Sequence, residues 1–199
     1  MASLDFLSAS GFANQSKVKI MNYQNISEIY AANDKIREKL KATVGNLTDE
    51  QLSLLAEKGD WTIKNIVEHI AIVQEGMMRI SAKLLTEAKA KGAAANGAAK
   101  ISEDFLQKAS EGQTLKFEAP DRVRPSGTQT IAESFAKLDE TRKSLEDLRP
   151  LFESVECSDF KFPHPFFGDL TAHEWLALVG GHEFRHTKQI EKILSENAQ

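Results

Sequence analysis

His182 and His186 stand four residues apart in the stretch HEFRH, close to the end of the 199-residue chain. On a helix each residue turns by about 100°, so the two imidazoles share a face with Cβ atoms about 5–6 Å apart. Rings at that separation can converge on one cation with bonds of about 2.0–2.1 Å. The chemistry in view is divalent-metal binding. Setting His182 at zero puts Trp175 near 20°, Leu178 about −40°, Val179 about 60° and His186 about 40°. Both histidines therefore lie in the apolar stripe, while Lys188, Glu191 and Lys192 take the opposite face. Burying a polar group without a partner costs about 1–3 kcal/mol. Two core histidines need hydrogen bonds of their own or a shared ion.

A metal site needs a third ligand, and His69 is the candidate. It lies at the edge of a stripe formed by Ile66, Val73 and Ile80, so an antiparallel neighbour can face it. His164 sits between prolines in a loop, and His173 falls about 180° from His182; neither suits the set. Ligation requires neutral imidazoles, so metal affinity is expected to fall as pH drops below about 6.5.

The elements that must position these residues are helices. Asn25, with Glu28 three residues on, opens a long helix that Gly45 stops. Thr48 and Gln51 open a short one ending near Gly59. A second long helix runs from about Asp60 to Lys91 on the stripe Ile63, Ile66, Ile70, Val73, Met77, Ile80 and Leu84. The small-residue run AKAKGAAANGAAK then reads as a loose connection. The region to Gly127 reads as a loop with a short helix near Ser102–Ala109. Thr130 and Glu133 cap a third long helix that Pro150 is expected to end. The Phe- and Pro-rich FKFPHPFFGD reads as a loop, and Thr171 with Glu174 caps the last helix. The expectation is an all-α, four-helix bundle over residues 22–199. Residues 1–21 are either an N-terminal arm, packing Leu4, Phe6, Leu7 and Phe12, or an over-long start.

HEFRH also matches H-E-x-x-H, the zinc-protease pattern, in which Glu183 would be the general base. Its extended form needs a glycine and a third histidine where this chain has Gln189 and Lys192. Those proteases also carry a strand-rich half, whereas this chain reads as almost all helix.

Two stretches, WTIKNIVEHI and HPFFGDLTAHEWLALVGGHEFRHTKQI, resemble the DinB/YfiT superfamily of helical-bundle metalloproteins. The segment EAPDRVRPSGTQTIAESF resembles the same family's loop into its third helix. The resemblance spans roughly Asn22 to Leu194. It implies a four-helix bundle with a long connection between helices two and three, and an ion held by His69, His182 and His186. Three imidazoles suit zinc, nickel or iron and do not identify the metal. The resemblance further implies thiol-dependent transferases that take a low-molecular-weight thiol. A metal-dependent hydrolase using activated water, or a non-catalytic metal-stabilised stress-response module, stays open beside that reading.

Secondary candidates follow. Glu183 and Arg185 are the weak catalytic candidates, with Glu68 a further acid beside His69. Trp61 and Trp175 read as packing groups, with Trp175 also placed to wall the metal pocket. Phe166 and Phe167 are candidates to cover its mouth. Phe184 points outward, by chance or as part of a homodimer face. Cys157, the only cysteine, excludes an internal disulfide and reads as a bystander thiol. The net charge of −4 carries no basic footprint for nucleic acid. No window reaches the roughly 20 apolar residues of a membrane span. The N-terminus makes a poor secretory signal, so the expected place is the cytoplasm, with a small molecule as the substrate.

Overall fold

The computed structural model describes residues 23–56, 59–92, 94–112 and 118–198. The expectation for residues 1–21 lies outside the described residues. Four long helices make the bundle: α1 (Ile26–Val44), α3 (Ile63–Ala90), α5 (Ile131–Ser154) and α6 (Ala172–Glu196). Two short ones, α2 (Asp49–Leu52) and α4 (Glu103–Gly112), lie in the connections. α3 packs on both α5 and α6, and α1 packs mainly on α6.

The helix starts are local chemistry. The Asn25 side chain accepts the Glu28 N–H at 3.0 Å. Thr48, Thr62, Thr130 and Thr171 each build a reciprocal capping box with the residue three ahead, which satisfies two orphan N–H groups per helix. The stop at Gly45 works differently from expectation. Its φ is −63°, so left-handed freedom is not what it supplies. A Cβ there would lie 2.7 Å from the Lys41 carbonyl oxygen, so closeness of the last turn is what excludes a side chain.

Three expectations are corrected. The short helix ends at Leu52, well before Gly59. α5 continues through Pro150 to Ser154. Proline in a helix removes one hydrogen bond and costs about 3 kcal/mol, and what offsets that is burial of the following turn. Phe152 is fully buried, with Tyr30 edge-on at 6.2 Å between ring centroids. Finally, the segment read as a loop folds into a hairpin, β1 (Lys161–His164) with β2 (Gly168–Thr171), antiparallel with His164 opposite Gly168. Its Phe and Pro residues obscured the alternation.

The core divides into two apolar clusters along the bundle axis. One holds Ile29, Tyr30, Met77, Leu84, Leu145, Phe152 and Leu176. The other holds Leu40, Ile66, Ile70, Leu138, Ile190 and Ile193. Between them every long helix contributes polar residues: Asn33 and Arg37 from α1, Gln74 from α3, Thr141 from α5, Glu183 and Thr187 from α6. Apart from Arg37, which is partly buried, all of these are buried. The Arg37 Nε and Nη2 donate to Glu183 at 2.7 and 3.0 Å, and Gln74 Nε2 donates to Glu183 at 2.5 Å.

α1 and α6 approach closely at this belt. A Cβ on Gly180 would stand 2.1 Å from Asn33 Oδ1, and Asn33 is held by a 3.0 Å bond to the Leu176 carbonyl. Gly180→Ala adds helix propensity worth about 1 kcal/mol, but the overpacking costs about 1–3 kcal/mol. The substitution is expected to lower the denaturant midpoint; a midpoint raised by the alanine would show that α1 and α6 do not meet there.

Candidate metal centre

α3 and α6 bring His69, His182 and His186 together. The His69 ring centroid lies 5.1 Å from that of His182 and 4.9 Å from that of His186, and the latter two are 4.5 Å apart. One nitrogen from each ring lies within 4.8 Å of the others. His69 is buried; His182 and His186 are half-buried.

The outer bonds decide which nitrogens are available. His69 Nδ1 lies 2.8 Å from the Val123 carbonyl oxygen. A carbonyl only accepts, so Nδ1 carries the proton and Nε2 keeps its lone pair. His186 Nδ1 likewise donates to Gln189 Oε1 at 2.8 Å. His182 Nδ1 is buried with no partner. Metal-ligating histidines characteristically donate their other ring N–H to a carbonyl or carboxylate, and two of these three do so.

Burial depresses all three imidazoles. Desolvation is the largest cause in each case: it lowers His69, takes His182 well below the ordinary value and takes His186 to about 3. Neighbouring imidazoles and Arg185 push His182 and His186 further down. The rings are therefore neutral at pH 7. Proton competition for them sets in at lower pH than the reference value of about 6.5 leads one to expect. An unpaired buried nitrogen, neutral rings and convergent lone pairs fit a soft or borderline divalent cation.

The remaining histidines have separate duties. His173 Nδ1 accepts the Lys100 N–H, and its Nε2 faces the Phe152 carbonyl at 3.3 Å. His164 sits at the end of β1 against Trp175. Glu183 turns to α1 and α3, with both oxygens held by Arg37 and Gln74. Arg185 donates to the Gly112 carbonyl at the end of α4. Phe184, expected to point outward, is half-buried with Lys188 5.7 Å over its ring. Cys157 is buried and its thiol pushed up by desolvation, so thiolate character is suppressed.

Sequence reasoning missed three supports. Trp61 packs on His69 with ring centroids 4.7 Å apart. Gln189, three residues past His186, fixes that ring; the i, i+3 spacing was the available signal. Glu68, offered from the sequence only as a further acid beside His69, is buried and accepts from Ser126 N and Oγ at 2.8 and 2.7 Å and from Gly127 N at 2.9 Å. It ties down the loop that carries Val123.

The family model of the DinB superfamily matches residues 32–190. The chain belongs to the DinB superfamily. It is 29% identical over 154 residues to the uncharacterized protein YuaE of Bacillus subtilis (strain 168), covering 74% of this chain and 85% of that one. It also resembles the crystal structure of TT2238, a four-helix bundle protein, with a TM-score of 0.54 and 21% identity, covering 83% of this chain and 96% of that one. The second likeness speaks for the fold alone. Among the described residues no helix is long and apolar enough to cross a membrane.

Two outcomes are expected. All five histidines are weakened as bases in the folded chain, because burial lowers each of them. The unfolded chain takes up protons below about pH 6.5 while the folded chain does not. Stability of the metal-free protein is therefore lost as pH falls below that point. Denaturant melts at neutral and mildly acid pH should show it, and equal midpoints would contradict the burial. Glu68→Gln leaves one acceptor oxygen where three donors converge, which loosens Val123 from His69. Zinc affinity, by chelator competition, should weaken about tenfold or more with helicity retained; unchanged affinity would make Glu68 a loop anchor only.

Proposed function

We propose that this DinB-superfamily protein binds a divalent metal ion on His69, His182 and His186 and acts as a metal-dependent transferase of a low-molecular-weight thiol. The observation that carries the proposal is the set of three neutral imidazoles, two of which commit an outer nitrogen, His69 to Val123 and His186 to Gln189. Three protein ligands are the count of catalytic rather than closed structural sites. An ion held there supplies a Lewis acid that favours the ionised form of a bound thiol or water.

The chain's own residues orient and exclude. Val123 and Gln189 hold two rings in one tautomer each. Trp61 walls His69, and the turn at Val123 lies against its other side through the Nδ1 bond. In the transfer, the thiol's proton leaves to solvent. Its sulfur forms a bond to the electrophilic carbon, and the leaving group departs with its electron pair. No general base is required once the thiol is ionised. A hydrolase, by contrast, gains from a carboxylate positioned on the water. The nearest sequence candidate, Glu183, is bound by Arg37 and Gln74. Among the described residues no carboxylate joins the histidine group. This favours the thiol reading over the hydrolase.

The test is a conjugation assay on zinc-loaded protein, with cysteine as the thiol and an activated aryl halide as the electrophile. The expected result is a rate that needs both protein and thiol and is lost in His186→Ala. A thiol-independent hydrolytic rate would replace the transferase with the hydrolase. Full metal loading without turnover of either kind would leave a binding module.

A further inference from the structure

The hairpin carries a fourth imidazole that the metal set does not use. The backbone N–H groups of Phe166 and Phe167 donate to His164 Nδ1 at 3.1 and 3.3 Å. A nitrogen that accepts has no proton of its own, so the proton of the neutral ring sits on Nε2. Burial is the main cause that pushes this histidine down to about 4, with the Arg122 charge adding to it. The ring is therefore neutral near pH 7 and presents one N–H in a fixed direction. Its plane is set by Phe167 and Trp175, at 4.7 and 5.3 Å between centroids. Among the described residues, Nε2 has no hydrogen-bond partner.

A second donor lies against it. Trp175 is 4% exposed, and its Nε1 is buried without a partner. Leaving such a group unpaired costs about 1–3 kcal/mol, so this indole N–H is one that a ligand can satisfy. Trp175 is seven residues before His182, about two turns away on the same face of α6. Arg122 is an exposed cation whose charge acts on His164. It precedes Val123, whose carbonyl holds His69, and its neighbours Asp121 and Arg124 pair with each other at 3.4 Å. The Arg122 charge acts on His164, and the Arg185 charge acts on His182 and His186.

We propose that His164 Nε2–H, Trp175 Nε1–H and the Arg122 guanidinium form an anion subsite beside the three-histidine centre, which receives the carboxylate of a small ligand. A carboxylate offers two oxygens with about four acceptor directions, enough for an imidazole, an indole and a guanidinium together. Bonds to an ionised acceptor are roughly twice as strong as neutral ones, so the subsite selects carboxylates over neutral amides. The inference deepens the proposed function by naming an acidic group on the substrate or thiol, and it rests on that site being a ligand pocket.

The test reads the subsite without the metal. The chain has two tryptophans, so the Trp175 indole N–H can be followed in a nitrogen–proton correlation spectrum of the metal-free protein. Acetate is titrated, with acetamide as its neutral isostere. Acetate should shift the Trp175 signal saturably and acetamide should not. His164→Phe keeps a ring but removes the N–H, and Arg122→Ala removes the cation. Each should weaken acetate binding about tenfold, with zinc affinity and melting temperature unchanged. A Trp175 signal that does not move, equal response to acetamide, or unaltered acetate affinity in both variants would overturn the subsite. Parallel loss of zinc affinity in His164→Phe would also overturn it, by making His164 a ligand. Should wild-type protein bind acetate in this way yet bind no zinc, the proposed function fails and the subsite stands.

Discussion

Three imidazoles packed this closely need defined roles for their nitrogens, and the Nδ1 of His182 alone is left buried without a partner. The Val123 carbonyl and the Gln189 side chain hold the protons of His69 and His186 on the outside. That leaves lone pairs facing inward, where they repel one another and have no donor to meet. Such an arrangement costs free energy in a bundle that could have used leucines. A cation at the point of convergence removes the cost, because ligands, tautomers and desolvation then favour one another. The depressed basicity of the rings belongs to the same balance. A site that stays unprotonated at neutral pH is ready for a metal without first losing protons.

The polar belt explains how the bundle carries this cost. Apolar clusters above and below provide the burial that holds the helices together. The belt between them is closed on the α1 side by Arg37, Gln74 and Glu183, in which nearly every donor meets an acceptor. Removing one member of such a buried pair costs about 3–5 kcal/mol. Glu183 thus works as the counterpart of Arg37. It sits beside His182 in the chain but about 100° around the helix, so the same helix serves structure on one face and the histidine cluster on the next. The carboxylate oxygens of Glu183 are taken by Arg37 and Gln74, so the general-base role that the H-E-x-x-H letters assign to it finds no support in its surroundings.

The periodic part of the fold was legible in the sequence. Stripes such as Ile66, Ile70 and Met77 and the caps at Asn25, Thr130 and Thr171 place the long helices to within a few residues. The i, i+4 histidines and the stripe edge at His69 were enough to bring the cluster together. What escaped were effects that local pattern does not encode. Pro150 reads as a stop, and only the tertiary burial of Phe152 carries the helix past it. The Phe–Pro segment hides a hairpin because its pairing partner, β2, is short. Glu68 looks like an exposed acid on helical angles, since its three donors come from residues 58 and 59 positions further along. Val123 could not have been chosen, because a backbone carbonyl has no letter of its own.

The segments outside the four helices therefore have a task that their composition conceals. The helices supply three lone pairs and the walls that desolvate them, which any bundle of this family can do. The long connection after α3 supplies the carbonyl that fixes His69, and the carboxylate next to His69 in the chain holds that connection in place. The short hairpin before α6 supplies an imidazole, His164, held by two backbone N–H groups and packed on Trp175. Under the proposed function, affinity for an ion would reside in the bundle, where mutations meet the core. Choice of what reaches it would reside in the connections, which can change without disturbing the packing that keeps the imidazoles together.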